Sequence, residues 1–210
     1  MIHKYDKGEH LAAIAAKYGF LLHKSVWNAG ENADLRAARE DPFQLVPNDE
    51  VAIPEKQAKS MARPTHQAHW FTARTEILKL RLRVLDLFGE PFRNSPGVLK
   101  IGGTETAVTS DGDGCFEATI PRTTMSATLA VGEVVFHLDV GALEPASEPT
   151  GMRARLGNMG CWAGDIDDTD PIEEYQTEGA IELYQDDHEL PVTGEASDAL
   201  GQQLEEDHGC

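Results

Sequence analysis

From Glu76 onward, Leu78, Leu80, Leu82 and Val84 alternate with Lys79, Arg81 and Arg83. A period of two places successive side chains on opposite faces, so this run predicts a strand with one buried and one wet face. The run constrains the fold because the period differs on either side of it. Upstream, Leu11, Ile14, Ala15, Tyr18 and Leu22 fall at helical spacing, with Gly19 marking where that helix ends or frays. Past residue 149 the helical period returns in three short stripes: Met152, Leu156 and Met159, then Ala180, Ile181, Tyr184 and His188, then Leu200 and Leu204. A chain whose period runs helix, strand, helix predicts an α+β multi-domain protein.

The boundaries follow from the punctuation. Residues 1–56 read as strand, helix, helix, strand, with extended pieces at 3–5 and 50–53 around a second helix over 25–39. Residues 57–75 are basic and irregular and read as a linker, in which Trp70 and Phe71 are expected to pack against a neighbouring module. His66 and His69 in this linker lack a nearby Cys, Asp or Glu, so no metal site is expected. Residues 76–144 carry turn signals at Phe88-Gly89-Glu90-Pro91, Gly102-Gly103, Asp111-Gly112-Asp113-Gly114 and Gly132-Glu133. Five to seven short strands between such turns predict a small β-sandwich. The Asp-Gly-Asp-Gly turn lacks the remaining oxygen ligands of a calcium loop and reads as a plain hairpin turn. Residues 150–210 form a three-helix module.

The formal net charge of −18 is concentrated at one end: residues 151–210 hold 16 Asp and Glu against only Arg153 and Arg155. Such a surface is ill suited to nucleic acid, where affinity comes from Lys and Arg displacing counterions, and to anionic membrane surfaces. It suits a basic protein partner. The acidic residues expected to meet that partner are Asp165, Asp167, Asp168, Asp170, Glu173, Glu174, Asp186 and Asp187. Met1-Ile2-His3-Lys4-Tyr5-Asp6 has no signal-peptide pattern, and Cys115, Cys161 and Cys210 are too scattered for a disulfide framework, so synthesis in the cytoplasm is expected.

Residues 2–55 resemble a LysM domain, a βααβ module that binds N-acetylglucosamine-containing glycans. The resemblance is carried by Tyr5, Gly8, Leu11, Ile14, Ala15, Tyr18, Trp27, Asn28, Leu45, Pro47, Val51, Ile53 and Pro54. It implies that two turns line a shallow glycan groove, formed here by Gly8, Glu9, His10 and Leu11 on one side and Leu45, Pro47 and Asn48 on the other. The usual Gly-Asp-Ser/Thr-Leu is Gly8-Glu9-His10-Leu11 in this chain, and the usual Pro-Gly-Asp is Pro47-Asn48-Asp49. Residues 150–208 resemble a helical peptidoglycan-binding domain through Arg155-Leu156-Gly157-Asn158-Met159-Gly160, Ala180-Ile181, Tyr184-Gln185 and Leu190-Pro191-Val192-Thr193-Gly194.

Together with the segment opening on Leu87-Phe88-Gly89-Glu90-Pro91, the arrangement resembles accessory proteins of type VI or related contractile secretion loci. That resemblance implies a non-catalytic adaptor whose partner is a spike or effector subunit with a basic surface, delivered to the periplasm or exterior by the contractile machine. The alternative is a conventional wall-binding protein, or a targeting module for a separate wall hydrolase or effector. No catalytic residues and no cofactor are expected: the sequence holds no paired Cys and His amidase motif, no His-x-x-Glu-His and no Gly-x-Ser-x-Gly.

Overall fold

The computed structural model describes residues 1–39, 41–57, 60–73, 75–141, 143–164 and 171–208, without the side chains of 171–173. Among these residues the chain is mixed α+β, with six α-helices and eight strands, every strand pairing antiparallel. It divides into two compact units, Met1–Ala142 and Leu143–Cys210.

The first unit begins with β1 (Ile2–Lys4) paired to β2 (Glu50–Ala52). Helix α1 (Leu11–Lys17) lies between them in sequence and buries Leu11, Ala12, Ile14 and Ala15. It is shorter than the apolar spacing predicts: Tyr18 closes the last turn, and Gly19 reverses the chain at φ +74. The single second helix expected over 25–39 is two short helices, α2 (Lys24–Trp27) and α3 (Ala33–Ala38), separated by a 3-10 turn at Gly30–Asn32. Asn32 accounts for the break. Its buried amide donates to the carbonyls of Val26 and Ala52, and its side-chain oxygen accepts from Ala52 N–H. One polar side chain thus ties the end of α2 to β2, satisfying backbone groups that a continuous helix would have satisfied itself. Tyr5, Leu11, Ile14, Val26, Leu45, Val51 and Ile53 form the core of this part.

Six further strands complete the unit. β3 (Ile77–Arg83) pairs with β6 (Cys115–Pro121), and a four-stranded sheet runs in the order β5 (Thr104–Thr109), β4 (Pro96–Ile101), β7 (Ser126–Val131), β8 (Val134–Asp139). The two sheets share one apolar core around Val84, Leu99, Phe116, Ile120 and Leu129, with Leu78, Leu80 and Leu82 packed against it as the period of two requires. β5 escapes the hydrophobic pattern because its residues, Thr-Glu-Thr-Ala-Val-Thr, are exposed except for half-buried Val108. The Asp111-Gly112-Asp113-Gly114 segment is not the expected hairpin turn: it carries the chain from β5 in one sheet to β6 in the other, and Asp111 Oδ1 closes it by accepting from the N–H groups of Asp113 and Cys115, both at 2.9 Å. In the irregular segment before β3, Trp70 and Phe71 are 95% and 71% exposed, so they stand in solvent and do not pack as expected.

The second unit holds α4 (Pro149–Asn158), α5 (Pro171–Asp187) and α6 (Asp198–His208), packed around Met152, Leu156, Ala180, Ile181, Tyr184, Leu200 and Leu204. Buried Gln185 holds the connection before α6: its oxygen accepts from the N–H groups of Thr193 and Gly194, and its amide donates to Thr193 Oγ1.

Candidate functional site

The residues expected to line a glycan groove divide sharply by exposure. Leu11 and Leu45 are buried in one core cluster, while Pro47 and Asn48 are exposed at a turn where Asn48 takes φ +75. Asp49 builds that turn by accepting from Val46 N–H at 2.9 Å and by pairing with Arg39 at 2.9 Å. Gly8, half-buried, reverses the chain before α1 at φ +87.

Glu9 is folded back onto its own module. Its carboxylate contacts His3 Nε2 at 2.7 Å and Lys17 Nζ at 3.2 Å, and accepts from Asp6 N–H. Burial alone would raise its pKa, but these hydrogen bonds outweigh burial and hold the carboxyl below the usual glutamate range. His3 Nδ1 in turn meets the Tyr18 hydroxyl at 3.1 Å. The Tyr18-His3-Glu9-Lys17 chain therefore consumes the acceptors that an outward-facing acid would offer a sugar.

His10 is the residue on which the turn closes. It is buried, it caps α1 by accepting Ala13 N–H on Nδ1 at 3.3 Å, and its Nε2 lies 3.0 Å from the carbonyl of Thr124. A ring that accepts on Nδ1 and faces a carbonyl with Nε2 is the neutral tautomer protonated at Nε2. Gly141 lies against the other side of the ring: a Cβ built there would fall 2.4 Å from His10 Cβ and 2.8 Å from Cγ. Nearby, His23 Nδ1 meets Glu76 Oε1 at 2.5 Å, Glu76 Oε2 accepts from His23 N–H at 2.9 Å, and the Arg122 guanidinium donates to the carbonyl of Phe20. Phe43 packs edge-on against His23 with centroids 5.0 Å apart. Within the turn at 8–11, His10 is thus covered by Thr124 and Gly141 of the same unit and locked there by hydrogen bonds at both ring nitrogens.

This arrangement has a consequence for pH. Burial, opposed by the Thr124 hydrogen bond and reinforced by the charge of His23, holds the His10 imidazole below its ordinary value of 6.5. The unfolded chain therefore binds the proton at a pH where the folded chain does not, and stability falls as pH drops below about 6.5 toward the folded value. The His10 ring resonances are expected to titrate with a midpoint below 6.5 in the folded protein, and a midpoint at or above it would contradict the buried neutral tautomer.

Of the acidic residues assigned to a partner, Asp165, Asp167, Asp168 and Asp170 lie outside the described residues, as does the side chain of Glu173. Glu174, Asp186 and Asp187 are exposed on α5. Near the end of that helix, Asp207 of α6 accepts a hydrogen bond from the Tyr184 hydroxyl and lies 3.6 Å from His188 Nε2. The Tyr184 bond holds the Asp207 carboxyl below the usual range, and burial pushes the Tyr184 phenol well above its own.

The core between the two sheets has a cavity of about 10 Å³ lined by Leu80, Leu99, Phe116 and Leu129, room for one water at most. An open groove of about 430 Å³ runs along Thr75, Glu76, Ile77 and residues 119–123. Among the described residues no group of three or more His, Cys, Asp or Glu is placed to hold a metal ion, and no helix is long and apolar enough to cross a membrane.

The turn at Phe88-Gly89-Glu90-Pro91 that the sequence marks lies between β3 and β4, but its exposed apolar tip was not read from the sequence. Leu87 is 100% exposed and Phe88 89%, side by side at the tip of a hydrogen-bonded turn. The signal was present in the sequence, since two large apolar residues fall where a turn ordinarily carries Gly, Asn or Asp. No protein-family model matches the chain, and the searches of curated proteins and of solved structures likewise return no match.

Proposed function

We propose that this chain is a non-catalytic adaptor built on peptidoglycan-binding folds, a LysM-like module, a small β-sandwich and a three-helix peptidoglycan-binding-like module, and that it serves a type VI or related contractile secretion system. The observation that carries the reading is the burial of His10 against Thr124 and Gly141. A wall-binding module needs the backbone of the turn at 8–11 free to meet sugar. Here part of that turn is spent inside the unit, which favours a connector over a glycan reader. The acidic side chains exposed on α5 support a partner with a basic surface, since complementary charge speeds encounter and suppresses wrong partners. On this reading the protein is made in the cytoplasm and leaves with the contractile machine.

Two measurements test the proposal together. Purified protein is expected to stay in the supernatant when mixed with isolated wall sacculi and to release no muropeptides. Tagged full-length protein from its native host is expected to recover spike or effector subunits, with recovery falling as salt is raised. Tight sedimentation with sacculi in the absence of any partner would instead establish the wall-binding alternative.

A further inference from the structure

We propose that the Leu87-Phe88 tip is the apolar anchor by which the β-module docks into an apolar pocket with a basic rim on the partner protein. This inference rests on the adaptor reading and names its contact.

The tip is built, not loose. Asp86 Oδ1 accepts from Phe88 N–H at 2.8 Å and from Glu90 N–H at 2.9 Å, and Asp86 N–H and Gly89 N–H bond to the carbonyls of Glu90 and Asp86. Gly89 takes φ +80, and Leu85 bridges to Pro91 at the base. Two large apolar side chains are therefore held out by a closed hydrogen-bonded turn while the rest of the segment is tied down. Exposed apolar surface of this kind is costly for a free protein, and a rigid anchor loses little conformational entropy when it enters a pocket.

The surroundings specify the pocket. Gly114 lies against Pro91, with a built Cβ 2.7 Å from the proline Cβ, so the β5–β6 turn stands beside the tip. Asp86, Glu90, Asp111 and Asp113 are all exposed at this end of the module. Of the nearby cations, Arg83 and Arg93 reach to the carbonyls of Asp113 and Gly112 and so lie over the turn backbone, while Arg81 lies within electrostatic reach of Asp111. An apolar pair held between the exposed carboxylates of Asp86 and Glu90 fits an apolar pocket bordered by Lys or Arg, and it disfavours an anionic lipid surface.

The test uses the full chain in three forms: unchanged, Leu87→Ser with Phe88→Ser, and Glu90→Lys with Asp113→Lys. All four positions are exposed, so melting temperatures are expected to match. Recovery of spike or effector subunits from the native host is expected to fall about tenfold for the serine pair, the loss typical of a central hot spot, and about threefold for the charge reversal. A photoreactive benzoylphenylalanine at position 88 is expected to crosslink to the same subunit, at an apolar peptide flanked by Lys or Arg. Undiminished recovery by the serine pair overturns this inference and leaves the adaptor reading standing, whereas recovery of no such subunit by the unchanged chain removes both. Crosslinks within a second copy of this chain, with concentration-dependent dimers that the serine pair abolishes, would overturn it in favour of self-association. Binding to phosphatidylglycerol vesicles lost in the serine pair would overturn it in favour of a lipid surface.

Discussion

Gly151→Ala is expected to unfold the helical unit. A Cβ at this position would lie 2.0 Å from the carbonyl oxygen of Pro145 and 2.5 Å from that of Glu144. Both are backbone atoms, so no flexible side chain can move aside. The opposing turn is itself pinned: buried Arg155 donates through Nη1 to the carbonyls of Glu144, at 2.6 Å, and Gly151, at 3.0 Å. Relieving the clash therefore means shifting the turn off its guanidinium, which leaves buried polar groups short of partners. We expect a loss of about 3 kcal/mol or more, a large part of the total stability of a small unit. Amide exchange protection across α4 and α6 is the measurement. Gly179→Ala is the control, since nothing lies within 4 Å of its Cβ position in α5; that change should stabilise by about 0.5 to 1 kcal/mol. Equal protection in the Gly151→Ala and Gly179→Ala proteins would show that the turn at 144–145 yields easily.

The second large effect is expected at His10. His10→Ala removes a helix cap, about 1 kcal/mol, and strips the Thr124 carbonyl of its buried donor, about 1 to 3 kcal/mol, so a total near 3 kcal/mol is expected. His10→Asn retains a side chain able to cap α1 but cannot reach Thr124, and is expected to recover roughly the capping share alone. Denaturant unfolding of the two variants, with exchange protection at Ala13 read in parallel, separates the contributions. If asparagine restores nearly the full stability, the bond to Thr124 contributes little, the ring does not hold the turn against Thr124, and the argument for a closed turn fails with it.

The same residue illustrates what a sequence can and cannot carry. The apolar spacing that begins at Leu11 was sufficient to place a helix there, because that signal acts within a few residues. Whether His10, just before it, faces solvent depends on residues 124 and 141, more than a hundred positions away, and no periodicity encodes such a pairing. Asn32 is a parallel case: its side chain splits a predicted helix by bonding to Ala52, a partner visible only once β2 has folded beside it.

By itself, the sequence determined the class of the fold and its order of periods. The alternation through 78–83 is a strand, the stripes from 152, 180 and 200 lie on helices that end within a residue of them or beyond, and the turns at Gly102-Gly103 and Gly132-Glu133 connect paired antiparallel strands, because each of these is written in spacing over one or two turns of chain. Tertiary structure alone decided which candidate residues are reachable. It buried His10, Leu11 and Leu45, turned Glu9 inward onto His3 and Lys17, and left Leu87 and Phe88 in water. Exposure is a property of what packs over a residue, and for His10 the covering atoms come from distant parts of the chain; for Leu87 and Phe88 a hydrogen-bonded turn holds them out where no described residue covers them.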